Sequence, residues 1–468
     1  MAKENKFFSF YRIFKQALKG EQQDYTIGSI DRAIVLLAVP MILEMAMESL
    51  FAVVDIFFVS QLKDNDAVAT VGLTESVLTL IYSVAMGMSM GAMAMVARRV
   101  GEKNIRSAQL SAAQAILVGL VFSLAITLIG VFFSKDLLHL MGASQSLIER
   151  NSGYMRVMLS GNITIMMLFL INGIFRGAGD ASLAMRSLWI ANIVNMLLDP
   201  VFIFGWGLIP AFGVTGAAIA TNTGRGIGVL YQVYHLMKGK GIIQVKISDL
   251  RAKFDIIRKL IVLSAGGMGQ FLIGSASWIF LMRIISDFGS AALAGYTIAI
   301  RVIVFALLPA WGMANAAATL VGQNLGAGEP DRAEKSVWRA AFFNMVFMAV
   351  VTVFFFSLAG PILRLFSSDE EVLSQGILCL EIVSLGYILL SYGMVVNQSF
   401  NGAGDTRTPT VISLFGFWAL QIPLAYVLAK PLGIGPLGVY LAIAFAESLM
   451  AVAGIMIFRK GKWKTVKV

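Results

Sequence analysis

Twelve runs of mostly apolar residues, each long enough to cross a bilayer, constrain this chain more than any other feature. A helix needs about 20 such residues to span the hydrocarbon core. Broken at charged or Gly/Pro/Asn clusters, the runs fall at about 33–61, 68–97, 107–133, 149–175, 183–205, 212–237, 258–286, 291–322, 335–359, 373–400, 409–430 and 436–458. Only 14% of the residues are charged, against roughly a quarter in a soluble domain. That is too little to clothe a water-soluble protein of 468 residues. Lipid is the solvent that accepts outward-facing apolar side chains. The pattern predicts an all-α integral membrane protein of twelve transmembrane helices.

Charge placement sets the expected orientation. With the N-terminus in the cytoplasm, 28 of the 37 Lys and Arg fall on the cytoplasmic side, from Lys3 through Arg98, Arg99, Arg176 and Lys240 to Lys467. Four fall outside: Lys63, Lys135, Arg364 and Lys430. Arg150, Arg156, Arg225, Arg283 and Arg301 lie within spans or at their ends. The positive-inside rule then places both termini in the cytoplasm. The formal charge of +10 reports topology, and no nucleic-acid partner is expected, because no basic-aromatic motif accompanies it. Residues 1–32 lack an apolar core before Ile34, so the first span serves as an uncleaved insertion signal. A lone Cys379 and the distant His139 and His235 offer no metal cluster.

The chain also repeats itself. Phe175-Arg-Gly-Ala-Gly-Asp180 recurs as Phe400-Asn-Gly-Ala-Gly-Asp405, 225 residues on. The same offset pairs Val96 with Val321, Gly101 with Gly326 and Ala108 with Ala333. Farther on, Pro200 pairs with Pro423 and Gly216 with Gly438, which implies a short indel. Six spans per half is an even number, so the halves are parallel repeats about an axis along the membrane normal. The expected divisions are a cytoplasmic segment 1–32, a six-helix lobe 33–238, a cytoplasmic linker 239–257, a second lobe 258–458 and a basic tail 459–468. The Gly-Ala-Gly-Asp turns lack the Lys-Ser/Thr and the strand of a phosphate loop. They read as helix-to-helix turns, with Gly ending one helix and Asp180 or Asp405 capping the next.

Ionisable residues at bilayer depth cost about 2.5–3.5 kcal/mol each on insertion scales, so they point to function. The first half holds Glu44, Glu48, Asp55, Glu75 and Asp199; the second holds Glu447, with Glu381 nearer a helix end. On the first span, Glu48 is about 40° and Asp55 about 20° from Glu44 around the helix, so one stripe carries all three. Asn195 and Asp199 are i and i+4 and share a face. Pro200 removes a backbone donor beside them. These oxygens suit a proton or Na⁺. For Glu75 and Glu447 the expected role is hydrogen bonding to neighbouring helices.

Pro40 with Val54-Asp55, the two Gly-Ala-Gly-Asp turns, Leu198-Asp199-Pro200 and Gly216-Ala-Ala-Ile-Ala-Thr221 resemble the prokaryotic multidrug and toxic compound extrusion (MATE) transporters across about residues 30–458. The resemblance implies two six-helix lobes in a V that export cationic amphipathic compounds by H⁺ or Na⁺ antiport. It implies a cation site at Asp55, Asn195, Asp199 and Thr221, which could hold Na⁺. Some members also carry a span 7 Glu and a span 10 Asp. Here span 7 offers Gln270 and span 10 offers Asn397 and Gln398. Glu44, Glu48, Gln270, Asn397 and Gln398 are the cleft candidates for substrate. No cofactor beyond the coupling ion, no enzymatic activity and a monomer in the inner membrane are expected. A flippase for a lipid-linked sugar is the alternative; it needs a basic cleft, and only Arg225, Arg283 and Arg301 lie within spans.

Overall fold

The computed structural model describes residues 6–20, 23–62, 65–239 and 241–468. Lys3, Lys63 and Lys240 of the charge count lie outside them. The helices are α1 Lys6–Lys19, α2 Ile30–Ser60, α3 Asn65–Gly101, α4 Ile105–Leu140, α5 Gln145–Ser160, α6 Asn162–Ala178, α7 Ala181–Phe204 and α8 Val214–Lys238. After the linker come α9 Phe254–Ser286, α10 Ser290–Gly326, α11 Pro330–Arg364, α12 Glu370–Leu385, α13 Tyr387–Ala403, α14 Arg407–Ser413, α15 Ile422–Ala429 and α16 Pro436–Arg459. No β-strand occurs among the described residues; Trp206 and Ile209 form one isolated bridge.

Among the described residues, ten helices are long and apolar enough to cross a membrane, with α5–α6 and residues 407–429 each counted as one. The pair α12–α13, bent 59° at Gly386, brings the number to eleven. The expected span 212–237 is α8. At 25 residues it has the length, but Thr221, Asn222, Thr223, Arg225 and Gln232 dilute its hydropathy. Its polar face turns inward: Thr221, Arg225 and Gln232 are buried. Between α14 and α15 the chain is π-helical over Leu414–Gln421. Pro423 follows at once, and its ring would strike the carbonyl four residues back in a regular α-helix. A π turn widens the coil there. Pro200, its counterpart in α7, sits in an uninterrupted α-helix.

Both Gly-Ala-Gly-Asp segments are the helix-to-helix turns the sequence suggests. Gly179 (φ +87°) and Gly404 (φ +90°) are left-handed caps. Asp180 Oδ1 accepts from the Leu183 amide, and Asp405 Oδ1 accepts from the Thr408 amide.

The repeat is visible in packing. The first long helix of each half leans across the seam, α2 onto α10 and α9 onto α3. Hence Ile34, Leu37 and Met41 of α2 share a core with Ala314, Val395, Phe400 and Phe458 of the second half. At the end of the bundle where both terminal segments lie, α3 and α10 cross at Gly101 and Gly326. A Cβ on Gly101 would stand 2.0 Å from the Gln323 carbonyl oxygen, and one on Gly326 would stand 2.2 Å from that of Arg98. Arg98 and Gln323 are themselves 225 apart, so the contact is self-complementary, as across a two-fold axis.

This terminus face is where the halves close. α3 is buried without a break from Gly87 to Arg98, and α10 from Ala316 to Leu325. Toward the other face α2 exposes Leu50, Val53, Ile56 and Phe57. On the terminus face, Arg332 donates to the carbonyls of Tyr25, Ile27 and Gly28, and the Tyr25 hydroxyl donates to the Gly179 carbonyl. The linker is docked as well: Arg106 of α4 grips Asp249 at 2.6 and 3.0 Å.

Candidate functional site

α7 and α8 pack along their length, because Gly224 brings the α8 backbone against Ala191 and Asn195. Three of the four expected cation-site residues meet there. The Asn195 side-chain amide donates to Asp199 Oδ1 (3.3 Å) and to Thr221 Oγ1 (3.2 Å). All three are buried. The fourth, Asp55, comes from α2 and is half-buried; it lies within electrostatic reach of Asp199, of Glu75 on α3 and of Arg225 on α8. Asp55 Oδ1, Asp199 Oδ2 and Asn195 Oδ1 are each buried with no donor among the described residues. A pocket with spare acceptors and few donors is chemically suited to a proton or a small cation. Glu75 is exposed and faces the charge of Arg301 on α10.

The two other carboxylates on the α2 stripe are engaged in ion pairs. Glu44 is wholly buried and accepts from Asn172 (2.9 Å) and Arg176 (3.0 Å) of α6. Arg176 also donates to Ser89 of α3. Asn172 Oδ1 accepts from Ser187 (2.8 Å) and Gln232 (2.7 Å). Glu48 accepts from Asn192 (3.0 Å) and Arg225 (3.3 Å). Arg225 is 1% exposed and lies against the rings of Phe51, Tyr82 and Phe169. Arg176, counted above with the cytoplasmic charges, is therefore an internal residue of α6. The sequence counted Arg176 and Arg225 without identifying a partner for either. The i, i+4 spacing of Asn172 and Arg176, which puts both on one face, was the available signal.

The second half holds amides at the matching place. Gln270 and Asn401 exchange hydrogen bonds of 3.0 and 3.1 Å. Asn401 donates to Gln398, and Gln398 donates to Asn315 (2.6 Å). Asn397 stands apart, its Oδ1 buried without a donor. Glu447 makes no ion pair among the described residues; it holds the place in α16 that Arg225 holds in α8, 222 residues on.

The model of the MatE family matches residues 40–201 and again 268–427. The probable multidrug resistance protein NorM of Thermotoga maritima is 26% identical over 455 residues, covering 97% of each chain. The FAD transporter of Shewanella oneidensis is 27% identical over 409 residues, 86% of this chain and 88% of the relative. A solved outward-facing conformation of a multidrug resistance MATE family transporter superposes with a TM-score of 0.89 at 26% identity, covering 94% of this chain and 98% of that one. The double match, the two packed halves and the inward-turned polar residues agree, and the chain belongs to the MatE family of membrane transporters.

Proposed function

We propose that this transporter exports cationic amphipathic compounds in exchange for H⁺ or Na⁺, with Asp55, Asn195, Asp199 and Thr221 as the coupling site. The observation that carries this is the set of three buried oxygens without donors, on Asp55, Asn195 and Asp199. A proton on either Asp, or Na⁺ shared among these oxygens and Thr221, would supply the missing positive charge. Ion binding would draw α2 toward α7 and α8. Because α2 also packs on α10, that movement reaches the seam, and the cleft can close on one face as it opens on the other. Substrate and ion compete for one conformation, which couples their opposite movements. One charge moving down about 100 mV supplies about 2.3 kcal/mol.

The terminus face is assigned to the cytoplasm, from the balance of Lys and Arg, and the protein to the inner membrane as a monomer. The name of the Thermotoga relative supports multidrug substrates. A flippase role has less support, because Arg176 and Arg225 are spent on internal ion pairs.

The test is export of ethidium from proteoliposomes with pH and Na⁺ gradients imposed separately. Asp55→Asn and Asp199→Asn should each lower gradient-driven export by about tenfold or more, equivalent to about 1.4 kcal/mol of coupling. Either variant exporting at the normal rate with intact ion dependence would falsify the site.

A further inference from the structure

The tail after α16 crosses the seam between the halves. Gly461 (φ +72°) turns it back, and a short 3₁₀ turn follows over Lys462–Thr465. Its root is fixed to the second half. Trp463 is 1% exposed and stacks on Phe458 at 4.5 Å. The Trp463 indole N–H donates to the Phe458 carbonyl (2.9 Å). Lys464 pairs with Asp331 (3.1 Å) and Glu334 (2.6 Å) of α11.

Its tip reaches the first half. Arg98 of α3 donates to the Val466 carbonyl. Arg99 donates to the main-chain oxygen of Val468 (2.7 Å). The Val468 side chain belongs to the apolar core cluster built mainly from the first half, and on its other side it abuts Gly404 of the second half, where an added Cβ would meet it at 2.3 Å. Arg98 and Arg99 precede Gly101 by less than one turn, and Gly101 is where α3 closes on α10. The arginines that hold the tip therefore belong to the turn that must part from α10 when the terminus face opens.

We propose that residues 462–468 are a latch that holds the two halves together at the terminus face. Its root carries a buried tryptophan and two carboxylate contacts; its tip carries two hydrogen bonds and one small apolar side chain. An unequal strap of this kind releases at the tip and stays attached at the root. Both tip acceptors are main-chain oxygens, so the tip binds through its backbone. The latch rests on the alternating-access reading above, because it acts only if this face opens during transport.

The experiment measures the distance between spin labels at Lys238→Cys and Arg407→Cys, exposed positions in the two halves, in the full chain with Cys379→Ser. Wild type should show a dominant short distance and a minor long one. Deleting residues 466–468, which leaves Trp463 and Lys464 in place, should raise the long-distance fraction relative to the short one by about tenfold. Arg98→Gln with Arg99→Gln should do the same with the tail intact, which guards against a deletion that merely disturbs folding. If wild type populates both distances and neither variant changes their ratio, the latch is wrong while alternating access stands. A single distance under every imposed gradient and in every variant would overturn both.

Discussion

In the first half Arg176 of α6 donates to Glu44 at 3.0 Å; in the second half Gln270 of α9 and Asn401 of α13 donate to each other at 3.0 and 3.1 Å. Arg176 and Asn401 occupy matching places 225 residues apart, each one turn ahead of a left-handed glycine. The backbone is the same and the chemistry is not. The first half tethers its leading long helix with an ion pair, and a second pair, Glu48–Arg225, follows one turn later. The second half tethers its leading helix with neutral amides. The lesson is that the repeat fixes where a helix must be held, and each half is free to choose the charge it holds it with. The donorless carboxylate oxygens of Asp55 and Asp199 lie in the half that also carries the buried ion pairs, whereas the second half has a donorless amide oxygen on Asn397.

The largest expected effect follows directly. Glu44→Gln leaves the Arg176 cation buried without its counter-charge, and removing one partner of a buried pair costs about 3–5 kcal/mol. Gln270→Leu leaves the Asn401 amide short of a neutral partner, at a cost of about 1–3 kcal/mol. Glu44→Gln with Arg176→Gln rebuilds the amide arrangement of the second half and should recover most of the loss. Thermal unfolding in detergent, read as a double-mutant cycle, gives the coupling directly. The contrast between the halves fails if Glu44→Gln costs no more than Gln270→Leu.

Where the two halves are alike, substitutions should cost alike. Gly101→Ala and Gly326→Ala each drive a Cβ into main-chain atoms of the other half, and overpacking of this kind costs about 1–3 kcal/mol. The two losses should match closely, because the contact maps onto itself. Gly72→Ala, in the same helix as Gly101 but with nothing within 4 Å, should instead gain about 0.5–1 kcal/mol from helix propensity. A large difference between the two seam glycines in melting temperature would show that the packing symmetry does not extend to energetics.

The parts legible in the sequence are those set by local pattern. Long apolar runs gave the helices, and identical turn residues at one offset gave the repeat. The i, i+4 spacing of Asn195 and Asp199 put both on one face, and Thr221, which entered through the family resemblance, accepts a hydrogen bond from Asn195. The partner of each charge was not legible. Arg176 reads as a loop residue because it stands next to Gly-Ala-Gly-Asp, yet the helix continues through Ala178 and carries it inward. Glu44 and Glu48 read as lining a cleft because they share a stripe with Asp55, but the stripe passes through two environments. Its terminus-side half faces α6, α7 and α8 closely enough for ion pairs, and its far half carries the exposed Leu50, Val53, Ile56 and Phe57. α8 failed the composition of a span for a related reason: a helix that buries polar residues against its neighbours loses hydropathy without leaving the membrane.

The smallest expected effect concerns the linker, which docks on α4 of the first half through Asp249, Arg251 and Lys253. Asp249 accepts two hydrogen bonds from Arg106, and its main-chain carbonyl accepts from Gln114 (2.8 Å). The Arg106 guanidinium holds the Asp249 carboxyl below the usual carboxylate range. A depressed folded value means that the stabilisation is full above the unfolded value of about 4. It is lost as pH falls through the lower folded value. Arg106 is more than half exposed, so solvent screening keeps the contribution of the pair small. Asp249→Asn should therefore raise limited proteolysis of the linker by no more than about fivefold at neutral pH, with ethidium export unchanged. Wild type should show the same sensitivity only at the acid end, below about pH 4. If Asp249→Asn slows export as strongly as it loosens the linker, docking on the first half is part of the transport cycle rather than a tether, and the asymmetry between the halves extends to how they move.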